Sequence, residues 1–148
     1  MTTEEKELLL KDLCSRLPHG VKFEHTDKHT LCEILSITPI YDYENVIYFN
    51  DYINHPKKCS IDEVRPYLFP LSNMTEEQYK EWGDLSGEPL DEILTRNAKG
   101  EIMSTLEHHL LVAKSSTESV NYCYKNHFDI NGLIPMDLAN DATGLNIY

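Results

Sequence analysis

Ten residues near the C-terminal end, 126–135, constrain this chain most: Asn-His-Phe-Asp-Ile-Asn-Gly-Leu-Ile-Pro. Phe128, Ile130, Leu133 and Ile134 crowd around two turn-forming residues, Asn131 and Gly132. A turn this apolar is costly to leave in water. The segment is therefore expected to be a peg, packed under the body of the domain by the helix before it. Asp129 and Asn131 suit an Asx-type turn, and Gly132 can supply the positive φ such a turn needs.

The same residues raise calcium, and reject it. Asp129, Asn131, Gly132 and Ile134 fit four positions of an EF-hand loop. The first ligand position falls on His127 and the bidentate acidic one on Leu138, so both key carboxylates are missing.

Helices and strands alternate ahead of the peg. Thr2 and Glu5 have the spacing of a capping box, which starts a first helix. Leu10, Leu13, Cys14 and Leu17 fall on one face of it, widened by Leu8 and Leu9, and Pro18 and Gly20 end it. Val21 and Phe23 then alternate with polar residues. Residues 30–40 are rich in β-branched and apolar side chains, with Pro39 placing their far end at a sheet edge, and 45–49 give a third strand. The connections are too short for parallel crossovers, so these strands form an antiparallel meander. Ser60 and Glu63 predict a second box and a short helix stopped by Pro66, followed by an extended stretch over 67–71. Thr75 and Gln78 predict a third box, with Tyr79 and Trp82 one turn apart. Gly83, Gly87 and Pro89 mark a loop. Ile102, Leu106, Leu110 and Ala113 share a helical face. Ser115 and Glu118 begin a last helix whose stripe runs through Val120, Cys123, Tyr124 and His127. Residues 137–148 read as an irregular tail. The whole is a single α+β domain, a small antiparallel sheet packed with several helices.

Charge excludes one class of partner. The chain carries 25 acidic and 13 basic residues, a net charge of −12. That balance repels polyanions, and there is no Lys/Arg run to contact phosphates, so nucleic acid is not an expected partner. The acidity suits a solvated surface, with nucleic-acid mimicry as the sharper alternative. Residues 1–7 lack the cationic and apolar regions of a signal peptide, and no apolar run is long enough to span a bilayer. The expected location is the cytoplasm, away from membranes. Cys14, Cys32, Cys59 and Cys123 form no Cys-x-x-Cys pair and are expected to be free thiols, two or three of them in the core.

Two zinc arrangements are conceivable on paper: Cys123 with His127 at i and i+4, and His25, His29 and Cys32 clustered before the second long strand. A structural zinc site usually takes four ligands in two tight pairs, and only one clean pair exists, so no metal or other cofactor is expected. No nucleophile elbow, zincin motif, P-loop or dinucleotide fingerprint is present. Cys32 with His25 or His29 as base is one of many nucleophile pairings that can be drawn on paper, with no geometry behind it.

Three blocks carry a resemblance. They are the segment 126–135, the stretch 6–21 (Lys-Glu-Leu-Leu-Leu-Lys-Asp-Leu-Cys-Ser-Arg-Leu-Pro-His-Gly-Val), and Arg65-Pro66-Tyr67-Leu68 with Ser72-Asn73-Met74-Thr75-Glu76-Glu77. Together they resemble a family of small uncharacterised proteins encoded by gut Bacteroides and their phages and mobile elements. The likeness spans nearly the whole chain in blocks. It brings with it no activity, cofactor or catalytic residue. Residues 87–104 match none of its blocks and read as an insertion.

The function expected is a non-enzymatic interaction protein, acting in the cytoplasm on a host protein. Tyr41, Tyr43, Tyr48, Phe49 and Tyr52 fall within twelve residues, beside Asp42, Glu44 and Asp51. In a strand neighbouring side chains face opposite ways, so Tyr48 and Phe49 must part and some aromatic surface stays exposed. Tyr41, Tyr43 and Tyr52 are the candidate protein-binding residues, with an acidic rim suited to a basic partner. Two alternatives stay open. One is a binder that sequesters a small anionic molecule such as a nucleotide signal, for which Lys57, Lys58 and Arg65 are the nearest cations. The other is an enzyme without a recognisable motif.

Overall fold

A computed structural model of the chain describes residues 1–26, 30–39, 45–50, 56–86 and 116–148. The first helix, α1 (Thr3–Arg16), starts at the expected box. Thr2 Oγ1 accepts from the Glu5 amide at 3.2 Å, and Glu5 Oε2 accepts from the Thr2 amide at 2.7 Å. Its buried face is shifted from the one predicted. Leu9 and Leu13 are buried as expected and Leu8 and Leu17 pack against the core, but Asp12 and Arg16 are buried beside them and Cys14 is exposed. The stripe turns because an Asp–Arg pair lies inside the protein, and apolar periodicity does not count charged residues. A short 3₁₀ turn (Leu17–His19) closes on Gly20, whose φ of +76° is left-handed.

Three strands make the expected meander, β1 (Lys22–His25), β2 (Thr30–Pro39) and β3 (Asn45–Asn50), and a fourth that was not expected, β4 (Pro56–Ser60), pairs antiparallel with β3. β1 pairs only with Thr30, Leu31, Cys32 and Glu33 of β2, so the Pro39 end of β2 is hydrogen-bonded on the β3 side, as a strand proline requires. The box at Ser60 and Glu63 forms, but it caps a single 3₁₀ turn (Ile61–Glu63) rather than a helix. The chain then runs directly into β5 (Val64–Leu68), with Val64, Pro66 and Leu68 inward and Arg65 and Tyr67 half-exposed. A period of two wins over the capping signal there, and Pro66 sits inside the strand rather than stopping a helix. β5 returns to the other side of β1, pairing antiparallel, and β6 (Asn140–Asp141) adds to it in parallel. The sheet order is β4-β3-β2-β1-β5-β6.

One sheet face packs against α1. Leu9 and Leu13 meet Phe23, Ile34, Ile47, Phe49, Val64 and Leu68 in the main core. A second cluster lies under α2 (Glu76–Ser86) and α3 (Thr117–Lys125), joining Leu71, Trp82, Cys123, Phe128 and Ile130. Thr75 and Gln78 cap α2 reciprocally, and the Tyr79 and Trp82 rings meet at 5.7 Å. Gly83 lies buried within α2 rather than in a loop. The N-cap of α3 is Ser116, whose Oγ accepts from the Ser119 amide at 3.4 Å, one residue past the expected cap. The helix read over 102–113 lies outside the described residues, as does the 87–104 segment. Among the described residues no helix is long and apolar enough to cross a membrane.

The peg is seated as expected. Phe128, Ile130 and Leu133 are buried, and Gly132 has φ +72°. Asp129 accepts from the amides of Leu133 (2.9 Å) and Ile134 (2.8 Å), so its oxygens face donors rather than a cation. Asn131 departs from the Asx reading and reaches across to Asp12 Oδ1 at 2.8 Å. The tail is less irregular than expected. It supplies β6, buries Leu138, Ala139 and Ala142, and ends with Tyr148 Oη donating to the Tyr67 carbonyl at 2.8 Å.

Candidate functional site

Among the described residues, the exposed sheet face, a cleft beside His127 and a buried cluster at His25 carry chemistry worth weighing. Tyr41, Tyr43 and Tyr52 lie outside the described residues, with their acidic neighbours Asp42, Glu44 and Asp51. The parting of Tyr48 and Phe49 is seen directly. Phe49 is buried edge-on against Phe23 at 5.3 Å, while Tyr48 is 37% exposed on the opposite face. Beside it the β2–β3 register slips between Ile34 and Ser36. That bulge lets Leu35 and Ser36 both face outward, and Leu35 is 46% exposed. Ser36 and Lys58 flank Tyr48 as its direct cross-strand partners.

The cations suggested for an anionic ligand do not share a strand. Lys57 and Lys58 are adjacent on β4, so their side chains point to opposite faces. Arg65 lies on β5, where Asp137 takes its guanidinium in two hydrogen bonds of 2.6 and 3.0 Å.

Of the two paper zinc arrangements, the pair Cys123 and His127 comes apart, and the other includes His29, outside the described residues. Cys123 is inside α3, but the helix ends at Lys125 and His127 comes after it with a left-handed φ of 58°, so helical i, i+4 geometry is lost. His127 instead stacks on Tyr148 with ring centroids 3.7 Å apart. Burial, helped by the nearby Arg16 charge, drives the His127 imidazole down to about 4, while burial pushes the Tyr148 phenol up to about 12. Both rings are neutral at pH 7. They line a cleft of about 660 Å³ together with His19, Lys22, Asn73 and Lys125. Lys22 is paired within it to Glu33 at 3.0 Å.

His25 has a different companion from those expected. His29 lies outside the described residues, and the Cys32 thiol points to the Thr30 carbonyl at 3.5 Å. The thiol beside His25 is Cys59, from β4, and Glu63 joins them from the 3₁₀ turn. Their ligand-type atoms all lie within 4.8 Å of one another. His25 Nε2 stands 3.9 Å from Glu63 Oε1, too long for a hydrogen bond, and the buried Nδ1 has no hydrogen-bond partner among the described residues. Burial, with Glu63 and Cys32 adding, pushes the Cys59 thiol up to about 12. Without a cation it is a protonated thiol and a poor nucleophile at neutral pH. Sequence reasoning missed this trio because its members come from three separate elements. The one local signal was the Ser60–Glu63 box, which fixes the turn that carries Glu63.

Compared with protein-family models, with curated proteins and with solved structures, the chain matches none of them.

Proposed function

We propose that this chain is a non-enzymatic interaction protein that binds a basic protein of its host through the open face of the sheet. The observation that carries this reading is the pair Leu35 and Tyr48, both large, both exposed, and side by side on a face opposite the α1-packed core. A half-exposed Tyr on a rigid strand offers contact area at little entropic cost, the property that makes Tyr frequent at binding hot spots. The net charge of −12 favours a cationic partner and disfavours nucleic acid. Tyr41, Tyr43 and Tyr52, which lie outside the described residues, stay candidate contacts in this proposal. A phage or mobile-element origin comes only from the resemblance, and a cytoplasmic setting is part of this proposal.

Leu35→Glu combined with Tyr48→Ala should abolish capture of the partner from host extract and leave the melting temperature near the parent's. Capture at parental strength by the folded double variant would overturn the reading.

The cleft beside His127 supports a second reading, a small-molecule binder. Its volume of about 660 Å³ is within the usual range for ligand sites. With its two central rings neutral and Lys22 paired, it suits a mainly uncharged ligand better than a nucleotide. Thermal-shift screening that raises the melting temperature with such a ligand, and fails with His127→Asn, would support it.

A further inference from the structure

We propose that His25, Cys59 and Glu63 form a binding site for one divalent transition-metal ion of the zinc type. The donor set is the argument. One imidazole, one thiol and one carboxylate converge with all ligand atoms within 4.8 Å. Ligands at roughly 2.0–2.3 Å from a tetrahedral zinc lie about 3.3–3.8 Å apart, so the trio needs to close by about 1.5 Å at most. The mixture of nitrogen, sulfur and oxygen suits zinc, and excludes calcium and magnesium, which take oxygen ligands.

The second observation is an unmet polar group. His25 is 7% exposed in its side chain, and its Nδ1 is buried with no hydrogen-bond partner among the described residues. Its other nitrogen faces Glu63 at 3.9 Å without bonding to it. An imidazole held this way forfeits hydrogen bonds it would make in water. A cation bound by the imidazole, which offers either ring nitrogen to the cluster, would give the ring a partner that the described residues do not supply.

The backbone holds the three in place independently of any ion. His25 ends β1, where it pairs with Thr30 and Val64. Cys59 pairs with Ile47 in β4. Glu63 is pinned by its box, Oε2 accepting from the Ser60 amide at 2.7 Å, which leaves Oε1 to point at His25. Glu63 is the most exposed of the three, at 35%, so the ion enters from its side and a water completes the coordination. Binding replaces the Cys59 thiol proton, which leaves to solvent, by the metal. The ion would tie β1, β4 and the β4–β5 turn together, across the curl of the sheet.

Cobalt(II), a spectroscopic stand-in for zinc, tests this with the reduced full-length protein. The wild type should titrate to about one ion per chain, with the intense visible bands of tetrahedral cobalt and a near-ultraviolet thiolate-to-cobalt band. Zinc should bleach both. Cys59→Ser should lose the thiolate band, Cys32→Ser should keep it, and Glu63→Gln, at a partly exposed position, should bind at least tenfold more weakly. A wild type without tetrahedral bands overturns the proposal, and so does a thiolate band that survives Cys59→Ser or vanishes in Cys32→Ser. If Cys59→Ser does not fold, Glu63→Gln decides, and parental cobalt affinity there also overturns it.

Discussion

Arg16 carries a full charge into the interior, and its surroundings explain how. Its Nε and Nη2 donate to the Asp12 carboxylate at 2.6 and 3.0 Å, Nη2 donates also to the Phe128 carbonyl at 2.8 Å, and the guanidinium lies 4.9 Å from the centre of the Tyr124 ring. Both charged side chains are 0% exposed. Asn131 from the peg donates to the same carboxylate, so α1 and the peg share one polar knot. Arg16→Ala should therefore cost about 3–5 kcal/mol in urea unfolding, because it strands the Asp12 charge. Arg16→Met with Asp12→Leu should cost clearly less than the two single changes added together. Equal additivity would mean the pair is not coupled. His127 gives a pH signature with a definite sign. An unfolded histidine titrates near 6.5 and this one is held down to about 4. The stability it contributes is complete above pH 6.5 and is lost as pH falls towards 4, because only the unfolded chain takes up the proton. Burial sets most of this, with the Arg16 and His19 charges adding to it and Tyr148 stacked on the ring. His127→Asn, which tolerates the positive φ, should flatten the fall in melting temperature between pH 6.5 and 4. Parallel curves for variant and parent would refute the assignment.

Among elements, the peg decides the second cluster. Phe128→Ala should destabilise by about 3–5 kcal/mol, since the ring is buried between Phe69 and the α2–α3 cluster. At Gly132 nothing lies within 4 Å of an added Cβ, so a substitution meets open space and only the backbone resists. Gly132→Val should cost at least about 1–2 kcal/mol and Gly132→Asn much less, since Asn accepts left-handed φ. Equal melting temperatures for the two would contradict the φ. These features were legible in the sequence because apolar turns and glycine have local causes. The boxes at Thr2 and Thr75 were legible for the same reason. What sequence could not show is non-local. The face of α1 is set by a buried ion pair whose third partner, Asn131, is 119 residues from Asp12. β5 won over a helix because β1 offered it an open edge, and the tail was ordered by β5 in turn. The His25–Cys59–Glu63 trio exists only once β4 and β5 lie on either side of the curl.

At the scale of the whole molecule, one sheet face is committed to α1 and the core, and the other presents Leu35 and Tyr48 from an acidic body. Of the described helices, α1 packs in the main core on the other face, and α2 and α3 join in the Trp82–Phe128 cluster. Steering by a net charge of −12 should make partner capture weaken as salt is raised from low to physiological ionic strength. Capture that is insensitive to salt would leave the contact to apolar burial alone. The most direct test places a photo-crosslinking residue at Tyr48, and separately at Lys80, exposed on α2, in cells of the native host. An interface on the open sheet face predicts a discrete protein adduct from position 48, lost when Leu35→Glu is added, and none from position 80. An adduct from position 80 with none from position 48 would contradict it.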